Sequence, residues 1–212
     1  MCWERELIGL EKIKIVIATN NVNKVREIES ILGHDKFEFF TLNEIGFYRD
    51  IIEDGNSYIE NAMIKAKEVY NFINDCWVIA DDSGLEVPYL NNEPGVHSAR
   101  YATDHDDKKN IHKLLYNMRD VEDIYRRGRF VCAIACIIDD NTCLTAEGEV
   151  WGTVINEMRG EEGFGYDPIM HYSPMNKTFG EMTFSEKNAI SHRANALKKI
   201  KNKIESYLEE NK

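Results

Sequence analysis

The chain has no excess of basic residues, no paired-cysteine pattern and no long apolar run. Its 212 residues carry 26 Lys and Arg against 37 Asp and Glu, a formal charge of -11. A surface of that sign repels polymeric nucleic acid and anionic membrane, so a phosphate-bearing ligand must be small and be met by a local positive pocket or a metal. Cys2, Cys76, Cys132, Cys136 and Cys143 form neither a CxxC pair nor an even disulfide set. Cys132 and Cys136 lie on one face of a strand-like run, which is core packing rather than zinc ligation. This excludes a disulfide scaffold and points to a reducing compartment. The longest apolar run, Phe130 to Ile138, falls short of the roughly 20 residues that cross a bilayer. Met1 to Lys12 interrupts Trp3 and Leu7 with charges, unlike a secretion signal. The expectation is a soluble cytoplasmic protein, with residues 13–212 as one domain after a short extension, residues 1–12.

What is present is a run of strand type, Val78-Ile79-Ala80, that reaches Asp81 and Asp82 and then Ser83-Gly84, read as a turn before Leu85-Glu86-Val87. Adjacent carboxylates repel, and a fold that holds them side by side offsets this with a divalent cation or a shared proton. Magnesium suits one or two carboxylates plus water and phosphate oxygens. A solvated strand end with a turn is the plainer alternative.

Upstream, Ile13 to Ala18 reads as a buried strand and Thr19-Asn20-Asn21-Val22-Asn23-Lys24 as a polar loop. Val25, Ile28, Ile31 and Leu32 then recur at helical spacing up to Gly33. Loop amides, a helix N-terminus and Lys24 favour an anion there, although Asn and Thr also serve as ordinary turn and cap residues. Phe37 to Phe40 is a strand, and Tyr58, Ala62, Ala66, Val69 and Ile73 mark an amphipathic helix. Glu53 precedes that helix either to stabilise its dipole or to hold a metal with Asp82. Lys65 sits off the apolar stripe, where lysines usually face solvent.

Downstream, a helix is expected from about Asp104 to Met118, and Arg119 to Arg129 as a linking loop. Phe130 to Ile138 and Leu144 to Ile155 form a hairpin around Asp139-Asp140-Asn141. Gly163-Phe164-Gly165-Tyr166-Asp167 is a poor packing segment but a good rim for a flat ligand. From Ser185 one helix runs through Leu208, carrying Lys187, His192 and Arg193 within two turns, either as a solvated basic face or as part of a pocket. Strands alternating with helices early and a hairpin later imply an α/β architecture, a mixed sheet flanked by helices.

Six stretches in order resemble the Ham1 (inosine triphosphate pyrophosphatase) family. They are Thr19 to Lys24, Glu53-Asp54-Gly55 with Glu60-Asn61-Ala62 and Lys65-Ala66, Ala80 to Val87, Pro94-Gly95-Val96 with Ser98-Ala99-Arg100-Tyr101, Gly163 to Ile169, and Glu186 to Arg193. The resemblance implies an elongated central mixed sheet, two lobes with an active-site cleft between them, and a homodimer. It implies Mg2+-dependent hydrolysis of the small purine nucleotides ITP, dITP and XTP to the monophosphate and pyrophosphate. By motif, Thr19, Asn20, Asn21, Val22, Asn23 and Lys24 would cradle phosphates and Lys65 would meet phosphate charge. Glu53 and Asp82 would hold the metal, and Asp82 would also accept the proton of the attacking water. Ser83 would touch substrate, Phe164, Gly165, Tyr166 and Asp167 would wall the base and sugar, and Lys187, His192 and Arg193 would complete the site, Arg193 donating to the base O6. Two departures stand out: Asn20 replaces a usual glycine, and Asn91-Asn92 a common Gly-Gly. Asn tolerates left-handed backbone best among the non-glycine residues.

Overall fold

The computed structural model describes residues 12–211. The expected extension, residues 1–12, lies outside them except for Lys12, and so does Cys2. The first strand is β1 (Ile13–Ile17). Helix α1 (Val22–Leu32) begins earlier than the apolar spacing from Val25 indicated, because the Asn21 side chain caps it by accepting the N–H groups of Asn23 and Lys24. Strand β2 (Phe37–Thr41) lies parallel to β1 on one side. Helix α2 (Tyr58–Ile73), capped by Ser57, returns the chain to β3 (Trp77–Val87), parallel to β1 on the other.

Strand β3 continues without a break through Asp81, Asp82, Ser83 and Gly84, so the turn expected at Ser83-Gly84 is not there. Gly84 serves a close approach instead. A Cβ on it would lie 2.5 Å from both the Gly95 carbonyl oxygen and Ser98 Oγ, which belong to a short 3-10 helix, Gly95–Arg100. Ser98 Oγ accepts the Leu85 N–H and donates to the Gly95 carbonyl, locking that helix to the strand. Gly84→Ala is therefore expected to lower stability by about 1–3 kcal/mol through overpacking, read as a drop in the urea midpoint at constant slope. An unchanged midpoint would mean that the helix can yield.

The short strand β4 (Glu93–Pro94) pairs with β3, and helix α3 (Asp107–Asn117) starts later than expected because Asp106 caps it. The expected hairpin is β5 (Arg127–Asp139) and β6 (Thr142–Val154), with β5 antiparallel to β3. Two short strands not expected from the sequence, β7 (Met170–Tyr172) and β8 (Lys177–Thr178), extend the edge. The sheet order is β2-β1-β3-β5-β6-β7-β8, with β4 beside β3. The single C-terminal helix expected is two, α4 (Phe184–Ile190) and α5 (His192–Glu210), divided at Ser191. Ser191 adopts an extended conformation and caps α5 by accepting the Ala194 N–H. Asn91 and Asn92 do take left-handed backbone, whereas Asn20 is not among the residues that do.

At one end of β3 and β5, α1 and α5 pack on one face through Ile28, Leu197, Ile200 and Ile204, and α2 covers the other through Ala62, Ala66 and Val69. Burying a side chain such as Leu197 or Ile200 contributes about 1.5–3 kcal/mol. Farther along the same strands, Leu85, Val87 and Phe130 join a second cluster with Ile111, Leu114, Val154 and Phe179. Asp81 and Asp82 sit on β3 where one packing region gives way to the other.

Candidate active site

Strand alternation sends neighbouring side chains to opposite faces of a sheet, and this overturns the idea of a side-by-side acidic pair. Asp81 faces α1 and α5. Its Oδ2 is 3.0 Å from Lys24 Nζ and accepts from Arg193 Nε and Nη2 at 3.1 and 3.0 Å. Asp82 faces α2, where Asn61 Nδ2 donates to it at 3.0 Å and Lys65 Nζ lies 3.8 Å away. The two carboxyls shift in opposite directions for that reason. Burial raises Asp81, but Lys24 and Arg193 more than reverse this and hold it well below the usual carboxylate range. For Asp82 burial prevails over the more distant Lys65 and Lys24, and its carboxyl is raised.

Behind Asp81 runs a line of alternating charge. Arg193 Nη1 reaches Glu27 at 2.6 Å, Glu27 reaches Lys187 Nζ at 3.2 Å, and Lys187 reaches Asp167 at 2.6 Å. From Lys24 through Asp81, Arg193, Glu27 and Lys187 to Asp167, three cations and three anions join α1, β3, α5, α4 and the Gly163–Asp167 loop. The break at Ser191 makes this possible, since it lets the end of α4 and the start of α5 aim at one point. Glu27, 3% exposed, was missed in the sequence, although it falls on the buried face of α1 one turn after Lys24.

A cavity of about 900 Å³ opens beside this line, between the two packing regions. Thr19, Asn20, Asn21, Val22, Lys24, Glu53, Lys65, Asp82, Ser83, Phe164, Gly165, Tyr166, Asp167 and His192 line it. Asn23, Lys187 and Arg193 do not. Asn23 is solvent-exposed on the first turn of α1. The structure also modifies the phosphate-loop picture, because the amides of Asn23 and Lys24 are taken by Asn21 Oδ1.

Lys65 is buried rather than solvent-facing: its Nζ sits 2.8 Å from Glu53 Oε2 and 3.8 Å from Asp82 Oδ1. Burial favours its neutral form, but Asp82 and Glu53 outweigh this and its pKa is raised, so it stays a cation. Arg100, part of the Ser98–Tyr101 match but not given a role from the sequence, also lines the cavity and donates to the Glu53 carbonyl at 3.2 Å.

The opposite wall is the glycine-rich loop. Asp167 accepts the Phe164 N–H and Asp107 accepts the Gly165 N–H, while the Tyr166 hydroxyl donates to the Ser98 carbonyl. His192 is buried rather than on the surface and stacks on Phe130 at 4.9 Å. Burial, then Arg193 and Lys187, push its pKa well down, so the ring is neutral. Arg193 is fully buried, donating to Asp81, Glu27 and Ser83. Lys187 and Arg193 lie behind the Phe164 ring, 4.5 and 5.3 Å from its centroid.

A model described as the Ham1 family matches residues 15–203. A dITP/XTP pyrophosphatase of Bacillus subtilis is 46% identical over 192 residues, covering 90% of this chain and 96% of its own. One from Clostridium perfringens is 44% identical over 201 residues, covering 92% and 98%. Among solved structures, the Staphylococcus aureus Ham1 protein superposes with a TM-score of 0.81 at 37% identity, covering 94% of this chain and 100% of that one. A HAM1 protein from Coxiella burnetii gives 0.83 at 36% identity, covering 92% and 99%. With its motifs gathered around one cleft and this likeness running along nearly its whole length, the chain belongs to the Ham1 family.

Proposed function

We propose that this chain hydrolyses 6-oxopurine nucleoside triphosphates, ITP, dITP and XTP, between the α and β phosphates, and so removes deaminated nucleotides before polymerases use them. The observation that carries this is the convergence of Glu53 and Asp82 on one ammonium, Lys65 Nζ, in a cavity with Lys24 on its wall. Relatives named dITP/XTP pyrophosphatase support the substrate class.

Magnesium is the cofactor of this reading. Glu53 and Asp82 both face Lys65 Nζ, at 2.8 and 3.8 Å, and would hold the ion through hard carboxylate oxygens. Among the described residues no three His, Cys, Asp or Glu come together as a metal cage. One or two carboxylates would suit magnesium, which keeps several waters and takes its other oxygens from elsewhere. When bound, Mg2+ neutralises phosphate charge and makes a nearby water easier to deprotonate.

Asp82 takes the proton from the attacking water. Lys24 and Lys65 meet the charge of the phosphates and of the departing pyrophosphate. Selectivity rests on hydrogen-bond donors facing the 6-oxo group. Adenine presents an amino donor there, and a site built around one hydrogen bond strongly rejects the analogue that cannot make it. Neutral His192 is on the cavity wall, and Arg193 lies beneath it, against the Phe164 ring and Ser83.

The test is hydrolysis of ITP, dITP, XTP, GTP and ATP with and without Mg2+, assaying pyrophosphate and orthophosphate separately. Pyrophosphate released from ITP, dITP and XTP ahead of GTP and ATP, only with the metal, is the expected result. Guanine keeps the 6-oxo group, so its rejection requires the pocket to disfavour the 2-amino group. Orthophosphate as the first product would defeat the cleavage site, and equal rates on ATP the selectivity. The same reading has residues 13–212 acting as one catalytic domain, as a homodimer in the cytoplasm, and light scattering checks the mass. Among the described residues no helix is long and apolar enough to cross a membrane.

A further inference from the structure

Asn61 lies on α2, is 1% exposed and does not line the cavity. Both ends of its carboxamide are nonetheless committed: Oδ1 accepts the Gly55 N–H at 2.9 Å, and Nδ2 donates to Asp82 Oδ2 at 3.0 Å. The orientation is forced, because a backbone N–H can only donate and a carboxylate can only accept. Gly55 must be small for this contact, since a Cβ there would lie 2.7 Å from Asn61 Oδ1 and 2.8 Å from Glu60 Cβ.

Lys65 follows Asn61 by one helical turn on the same face of α2. It makes a parallel bridge, to Glu53 in the same loop and to Asp82 on β3. One helix face thus ties the loop to the strand twice, once through a charge and once through an amide. The other oxygen of Asp82, Oδ1, accepts the Ser83 N–H at 2.9 Å. The terminal torsion of a carboxylate is otherwise broad.

We infer that Asn61 is a positioning residue, fixed by Gly55 and in turn fixing the Asp82 carboxylate toward the cavity. The inference rests on Asp82 being the reacting carboxylate. Loss of the amide leaves Asp82 Oδ2 unheld, and a misaimed base lowers turnover without weakening substrate binding.

The experiment measures kcat and KM for ITP in the parent, Asn61→Ala and Asn61→Asp, each alone and with Asp82→Asn, with urea unfolding as the check on folding. Asn61→Asp keeps the acceptor for Gly55 but sets a second carboxyl against Asp82, whereas Asn61→Ala removes both contacts without adding charge, so the two are read together. Both variants are expected to lose about 10- to 100-fold in kcat, the usual range for a group that orients a functional residue, with KM little changed. In the Asp82→Asn background the further loss should vanish. Parent-like kcat in Asn61→Asp, an equal fold-loss in both backgrounds, or an effect on KM alone would overturn the inference while leaving the functional reading intact. A parent that releases no pyrophosphate from ITP would overturn both.

Discussion

The Asp82→Asn variant is expected to turn over ITP about 10^2- to 10^4-fold more slowly than the parent, the range for removal of a general base. Asn has nearly the same shape, so Lys65, Asn61 and the Ser83 N–H keep a neighbour in place, and what disappears is the proton acceptor and one anionic oxygen donor. Neutralising Asp82 relieves the desolvation that raises its carboxyl but takes negative charge from buried Lys65, which keeps Glu53. The variant should therefore still fold and melt cooperatively. A lost rate with a cooperative melting curve is the signature sought. Near-parent turnover at saturating ITP and Mg2+ would remove Asp82 from the reaction. A fall cured by excess Mg2+ would leave it a metal ligand and nothing more.

Glu27→Gln is expected to cost about 3–5 kcal/mol at neutral pH, the usual penalty for removing one partner of a buried ion pair. Glu27 is the only carboxylate between Arg193 and Lys187 in the charge line, at 2.6 and 3.2 Å. Gln keeps the volume but leaves both cations short of negative charge. That is a large share of the roughly 5–15 kcal/mol that holds a domain together. The effect has a pH signature. Burial raises the Glu27 carboxyl, yet Arg193 and Lys187 prevail and its folded pKa lies below the ordinary value. The unfolded chain therefore takes up this proton first, at about pH 4.3. The stabilisation is complete above that pH and drains away as pH falls through the folded value. Urea titrations should show the gap between parent and variant narrowing from about pH 5 downward, and a gap that widened instead would contradict a depressed Glu27.

Much of this architecture was legible in the sequence because periodicity reports burial. The stripe on α2, the hairpin of β5 and β6, and the run into Asp81 were each read correctly as elements. The walls of the cavity were legible where residue types were unusual for their setting, as with the glycine-rich loop and the polar loop after β1. What was not legible is which way a charged side chain points. Asp81 and Asp82 are adjacent in sequence yet face opposite sides of the sheet, and only the continuity of β3 through Ser83 and Gly84 shows it. Lys65 lies off its stripe as a solvent-facing lysine would, but the loop carrying Glu53 folds over it. Arg193 was read as a hand extended to the base, whereas its donors are engaged inside the protein. The β7 and β8 strands are too short to leave a periodic signal, and Ser191 divides α4 from α5 by local capping that a stripe of apolar residues passes over.

The contact between Lys24 and Asp81 bears on how a protein of net negative charge can admit a polyanion. The Lys24 side chain is 15% exposed and Asp81 not at all, so the ammonium has already shed most of its hydration. On the proposed reading an arriving phosphate would find a cation already largely dehydrated, and the event would be an exchange of counter-ions rather than the creation of a new charge pair. Asp81 would give up the nearer share of its compensating charge and keep the two donors of Arg193. Nucleotide entry would in that sense be a substitution drawing on a reserve of charge that the fold already holds.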